Sequence, residues 1–164
     1  MAYDEDIDST HNPASGLTIP SSWGDIVNAN FAAMGAWTSF SPTWENTSTS
    51  PAIGNGSLAG QYQRRADFGV FRIKLVVGST TTFGTGTYWS FTLPYTLNST
   101  AVDVNIWGIY KDASVKAYGV YGETINTTEF RLWNMASDAL VNHSAPVASP
   151  AATDYLTMTG IISL

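Results

Sequence analysis

Two histidines, thirteen carboxylates and no cysteine bound the chemistry open to this 164-residue chain. His11 lies in a stretch of turn formers and His143 follows Asn142, so they make no spaced pair for zinc or for a nucleophile–base–acid triad. The lack of cysteine excludes disulfides, thiolate metal sites, iron–sulfur clusters and a thiol nucleophile. Asp4-x-Asp6-x-Asp8 has the spacing of the first ligands of a calcium loop, but Ser9 stands where that loop needs glycine and Ser15 where it needs a closing acid. Gly54-Asn-Gly56-Ser-Leu-Ala-Gly60 is spaced GxGxxxG, with neither a lysine nor a helical pattern after it, and reads as a turn feeding a strand. No GxSxG elbow occurs. A glycosidase needs two carboxylates at a fixed separation. Asp67, Asp103, Asp112, Glu123 and Glu129 could supply a pair, but sequence does not measure the gap. Arg64, Arg65, Arg72 and Lys74 form the one basic cluster, and a net charge of −6 argues against a protein that tracks phosphates. No cofactor, metal or catalytic group is expected. The chemistry left is that of rings: six Trp and eight Tyr suit sugar stacking and subunit interfaces alike.

The elements that carry those rings fall into three parts. Residues 1–20 form an extended acidic arm, with Tyr3, Asp4, Asp6, Ile7, Leu17 and Ile19 as its anchoring candidates. Four of the thirteen acids sit in the first eight residues; without them nine acids face seven bases, a balance of −2, so the body is nearly neutral. Residues 21–36 predict one short amphipathic helix. Ser22 is its candidate N-cap, Asp25 favours its dipole, and Trp23, Ile26, Val27, Phe31 and Met34 recur on one face. About four turns would be marginal alone. Residues 37–164 read as β.

In that body Phe71, Ile73, Leu75 and Val77 alternate with Val70, Arg72, Lys74 and Val76. Trp89, Phe91 and Leu93 alternate up to Pro94, and Val102, Val104 and Ile106 do the same. Phe130, Leu132 and Asn134 mark another strand with Trp133 on its opposite face, and Tyr155 to Leu164 supplies a closing strand. Gly78–Gly86 reads as a hairpin loop, and Lys111–Ser114 as a tight connection. Gly78–Gly86, Gly122–Thr128 and His143–Ala152 are the candidates for outward loops. Seven or eight strands at this spacing predict a mainly β domain, an antiparallel β-sandwich or jelly roll preceded by an arm and a helix. Five Asn-x-Ser/Thr sequences, at Asn46, Asn55, Asn98, Asn126 and Asn142, reflect turn chemistry.

Charged residues are only 12% of the chain, about half the usual ~25%. Trp107 with Ile109, Tyr118 with Val120, and Trp133 with Met135 are placed in the phase opposite the inward set. A half-solvated strand should carry polar groups there. The expectation is a self-associating protein whose interface includes Trp23, Ile26, Val27, Phe31, Met34, Trp107, Tyr118 and Trp133. No apolar run approaches the ~20 residues of a membrane span. The acidic opening Met1-Ala-Tyr-Asp-Glu-Asp does not suit a secretory signal, so synthesis in the cytosol without export by that route is expected.

Three segments carry a family resemblance. They are Phe40-Ser-Pro-Thr-Trp44, the run from Ser50 through Gly54-Asn-Gly56-Ser-Leu-Ala-Gly60 to Arg64-Arg65, and Val77-Gly-Ser-Thr-Thr-Thr-Phe-Gly-Thr-Gly-Thr-Tyr-Trp-Ser-Phe-Thr-Leu-Pro94. Together they resemble a β-domain of tailed-bacteriophage minor tail, fibre or virion-surface proteins, over roughly residues 37–164. The Ile19-to-Phe31 segment resembles the attachment segment that precedes such domains. The resemblance implies a non-enzymatic virion component, often a homotrimer, made in the bacterial host and held on a capsid or tail protein through its N-terminal arm. It carries over no catalytic residue. Heptads and shaft repeats are missing, which favours a small knob over a long fibre. The competing expectation is a receptor- or glycan-binding module in which Trp107, Trp133 or Tyr118 stacks on a sugar of the host surface.

Overall fold

The computed structural model describes residues 25–28, 35–65, 68–98, 104–113, 116–146 and 150–163. Residues 25–28 are helical, with Ile26 exposed and Val27 half-buried. The arm residues Tyr3, Asp4, Asp6, Ile7, Leu17 and Ile19, and the helix residues Trp23, Phe31 and Met34, lie outside the described residues. Residues 37–164 form a compact unit by themselves, and it is mainly β, as its alternating patterns predict.

Ten strands make one antiparallel sheet: β1 (Thr38–Phe40), β2 (Trp44–Asn46), β3 (Ser57–Arg65), β4 (Phe68–Val76), β5 (Trp89–Thr92), β6 (Val104–Lys111), β7 (Ala117–Thr124), β8 (Glu129–Asn134), β9 (Ala139–Leu140) and β10 (Tyr155–Ser163). Their order is β1-β3-β4-β10-β6-β7-β8-β5-β2, with β9 beside β8. β1 and β2 end that path on opposite sides, yet only Ser41, Pro42 and Thr43 separate them. A connection that short spans at most about 14 Å, so the sheet must curl until its two edges nearly meet. The result is sandwich-like, with the chain crossing between layers at the buried Pro42. The count exceeds the expected seven or eight strands because β1, β2 and β9 are two or three residues long, too short for a period to register.

The inner surface carries the core. Phe71, Ile73 and Leu75 on β4 and Phe130 and Leu132 on β8 are buried at the predicted parity, and Leu156, Met158 and Ile162 on β10 are buried with them. Rings tile the interior: Trp44 meets Trp89 edge-on at 5.0 Å, and Phe130 lies 5.8 Å from both Phe71 and Phe91. Gly160 makes room for this tiling, because a Cβ there would run into the Phe71 ring.

Two expectations are corrected. Gly78–Gly86 is not a hairpin loop, since β4 pairs with β3 and β10 whereas β5 pairs with β2 and β8. The segment is a crossover, and it zips onto residues 49–55 instead. Thr49 N–H donates to the Thr85 carbonyl at 3.0 Å, Ala52 N–H to the Thr82 carbonyl at 2.9 Å, and Thr80 N–H to Asn55 Oδ1 at 2.9 Å. Gly84 there has φ of 61°, a backbone setting that suits glycine. Second, Tyr118 and Val120 face inward rather than outward: Val120 is fully buried and Tyr118 packs on the core. Strand β7 carries a tyrosine at each parity, and the outward one is Tyr121.

Two of the five Asn-x-Ser/Thr sequences show their turn chemistry directly. Asn126 Oδ1 accepts from the N–H and hydroxyl of Thr128 at 2.8 and 3.0 Å, and Asn142 Oδ1 from those of Ser144 at 2.8 and 2.9 Å.

Candidate binding face

The outer surface of the sheet is where composition and fold disagree most. Register places Ser39, Gln61, Arg72, Thr159, Trp107, Tyr121, Trp133 and Leu140 in one row across β1-β3-β4-β10-β6-β7-β8-β9. Side chains at one parity share a face, so this row runs from a polar, cationic end to an aromatic one. Ile109, one step along β6, sits opposite Gly119 on β7, and Ile161 on β10 sits opposite Asn105 on β6. Trp107, Ile109, Met135 and Ile161 are 42–56% exposed. Soluble monomers rarely gather so many large apolar groups on one open face.

The two predicted indoles of this face are placed differently. Trp133 is half-buried and engaged. Its ring lies parallel to Tyr121 at 6.3 Å, the Arg131 guanidinium lies over it at 5.3 Å, and its Nε1–H donates to Glu123 Oε2 at 2.8 Å. Arg131 also pairs with Glu123 at 2.8 Å and lies 5.4 Å over Tyr88. The Tyr121 hydroxyl donates to Asp138 Oδ1 at 2.7 Å. A shallow groove of about 390 Å³ opens among Tyr121, Glu123, Trp133 and Asp138. Trp107 has no such company: among the described residues no ring or cation rests on it. Tyr118, the third predicted ring, is turned into the core, although the Lys116 ammonium reaches it from outside at 4.9 Å.

The Trp133 N–H, then the Arg131 guanidinium, hold the Glu123 carboxyl below its ordinary 4.5. A depressed pKa in the folded chain means that this interaction is intact above pH 4.5 and is lost as pH falls through the folded value. The Trp133 indole N–H resonance should therefore shift on acidification below pH 4.5, and Glu123→Gln should abolish that step. A shift unchanged in the variant would assign it to another group.

A second, larger groove of about 620 Å³ lies at the other end of the row, over β1, β3, β4 and β10. Arg72 is its fixed point. Gln61 Oε1 accepts from Arg72 Nε at 2.9 Å and from Nη2, and the guanidinium lies 4.5 Å over the Trp37 ring. Lys74 lies 5.5 Å over Tyr155. A basic cluster on a strand face is expected to pair with acids, either within the chain or across an interface. Among the described residues Arg72 and Lys74 meet none, and the one ion pair is Arg131 with Glu123. The groove was missed because its polar lining comes from strands far apart in the chain.

No family model and no curated protein matches the sequence. Among solved structures the chain is similar to the Dettilon tailspike protein (gp208), with a TM-score of 0.52 and 14% identity. The likeness covers 78% of this chain and 23% of that one, so the chain spans about a quarter of that protein's length. At this identity the likeness is one of fold.

Proposed function

We propose that the chain is a non-enzymatic structural component of a bacteriophage virion, a self-associating surface knob held on a capsid or tail protein by its N-terminal arm. The observation that carries this reading is the open strip of Trp107, Ile109, Met135 and Ile161 on a body with few charges. Burial of that strip against copies of the chain would remove it from water and stabilise the particle. The fold likeness to a tailspike agrees with a virion setting. A homotrimer built around residues 21–36 would give the short helix the packing it lacks alone. The non-enzymatic reading is supported by the carboxylates described, several of which are used structurally: Glu123 with Arg131 and Trp133, Glu129 with Asn126, Asp138 with Tyr121, and Asp154 buried.

Light scattering tests it. The full chain should give three times 17.6 kDa, and residues 37–164, which carry their own core, should give a monomer. Trp107→Asp with Ile109→Asp should weaken the full-length assembly. A monomeric full chain overturns the reading.

A second reading, recognition of a host-surface glycan, is favoured by one observation: the exposed Trp107 has no ring or cation on it among the described residues and lies in the same row as the Arg72 groove. The two readings compete for the same indole.

A further inference from the structure

The groove over β1, β3, β4 and β10 combines three features that together select a ligand class. Its lining includes Ser39, Gln61, Thr157 and Thr159, whose hydroxyls and amide can both give and accept hydrogen bonds. Its volume of about 620 Å³ is in the range of small-ligand sites. Its cations are held in place without being neutralised: Trp37 and Gln61 orient Arg72, Tyr155 steadies Lys74, and no described carboxylate pairs with either. In a chain of net charge −6, two oriented cations with no acid partner among the described residues form an anion seat. Gln61 uses donors on Nε and Nη2 of Arg72, so Nη1 is left to bond an acid group. Arg72 and Lys74 are two residues apart on one strand and so share a face. Thr159 sits between Arg72 and Trp107 in the register, which puts the backbone positions of Arg72 and Trp107 two strands, about 10 Å, apart on one face. That separation is about the reach of two linked pyranose rings.

We infer that this groove binds an acidic saccharide, with a sugar carboxylate seated between Arg72 and Lys74, ring hydroxyls on Gln61, Thr157 and Thr159, and the next sugar lying on Trp107. The inference rests on the glycan reading above and adds the ligand class. Two cations are too few to track a phosphate backbone, and the hydroxyl-rich lining suits a sugar better than an apolar peptide. Oriented donors keep the ordering cost of binding low.

The test is titration of the full chain with oligogalacturonate, and with maltohexaose as the neutral comparator, followed by tryptophan fluorescence and calorimetry. Oligogalacturonate should bind at least tenfold tighter than maltohexaose, and its affinity should fall as salt rises. Arg72→Gln with Lys74→Gln should erase that preference, and Trp107→Ala should remove binding of both sugars. All three side chains lie on the outer face, so an unchanged thermal melt will show that the variants fold. Equal binding of the two sugars, or a preference that survives the double variant, overturns the acidic-saccharide inference and leaves the glycan reading standing. Absence of binding to either sugar, with Trp107→Asp breaking up the oligomer, overturns both and assigns the face to a second copy of the chain.

Discussion

Trp89→Ala should destabilise the protein by about 3–5 kcal/mol, a large share of the ~5–15 kcal/mol that holds a typical domain together. Trp89 is fully buried, lies 5.0 Å from Trp44, 6.0 Å from Phe83 and 6.4 Å from Tyr110, and donates its Nε1–H to the Phe83 carbonyl at 3.4 Å. Its removal opens a cavity among rings that belong to different parts of the curled sheet, so no single neighbour can slide in to fill it. Chemical denaturation of the 37–164 fragment checks the value. The same substitution at Trp107, on the open face, should change monomer stability by less than about 0.5 kcal/mol. A comparable loss at both positions would mean that the outer face is not open.

Asp154→Ala should cost about 3 kcal/mol by another route. Asp154 is 2% exposed, yet its carboxylate bonds three groups. Oδ1 accepts from Ala113 N–H at 3.0 Å, and Oδ2 from Ala151 N–H at 2.9 Å and the Tyr110 hydroxyl at 3.4 Å. The substitution removes the acceptor of the buried Tyr110 hydroxyl, which then carries its desolvation cost, and releases the two part-buried N–H bonds that fix Ala113 and Ala151 to this turn. Asp154→Asn keeps an acceptor for one side only and should recover part of the loss. The same cluster predicts alkaline sensitivity. Burial first, then the Asp154 charge, raises the Tyr110 pKa above the ordinary 10.0. With a raised folded value, the stabilisation is complete below pH 10.0 and declines as pH rises through the folded value, because the unfolded chain gives up its proton first. Tyr110→Phe should flatten that decline in a pH series of denaturation midpoints; an unaltered slope would place the titration elsewhere.

Particular strands and residues show what a sequence discloses and what it withholds. The parity of β4, β5 and β8 was legible because Phe71, Ile73 and Leu75, Trp89 and Phe91, and Phe130 and Leu132 all repeat with a period of two around Arg72 and Lys74, Ser90, and Arg131. Strand β7 was not, because Tyr118, Val120 and Tyr121 set a large side chain at both parities and small glycines between them. Asp154 sits in a segment of ordinary loop composition, and only tertiary structure shows that it anchors the turn after β6. The exposure of Trp107 and the opposite face of Trp133 were readable from alternation. That Trp133 is already occupied by Tyr121, Arg131 and Glu123 was not, since that cluster draws on neighbouring strands. The basic pair Arg72 and Lys74 was visible as charge, but that no acid among the described residues meets it was not, because pairing is a property of register.

Strand β10 lies between β4 and β6, bonded along nearly its whole length on both sides. The middle of the sheet is thus laid down after the other nine described strands have left the ribosome. Until residue 163 has emerged, β4 and β6 show bare rims of unpaired N–H and C=O groups that would pair with any similar rim nearby. A message cut short before this strand should give insoluble product rather than a shortened working protein, so the cell is left with either an intact molecule or a clump.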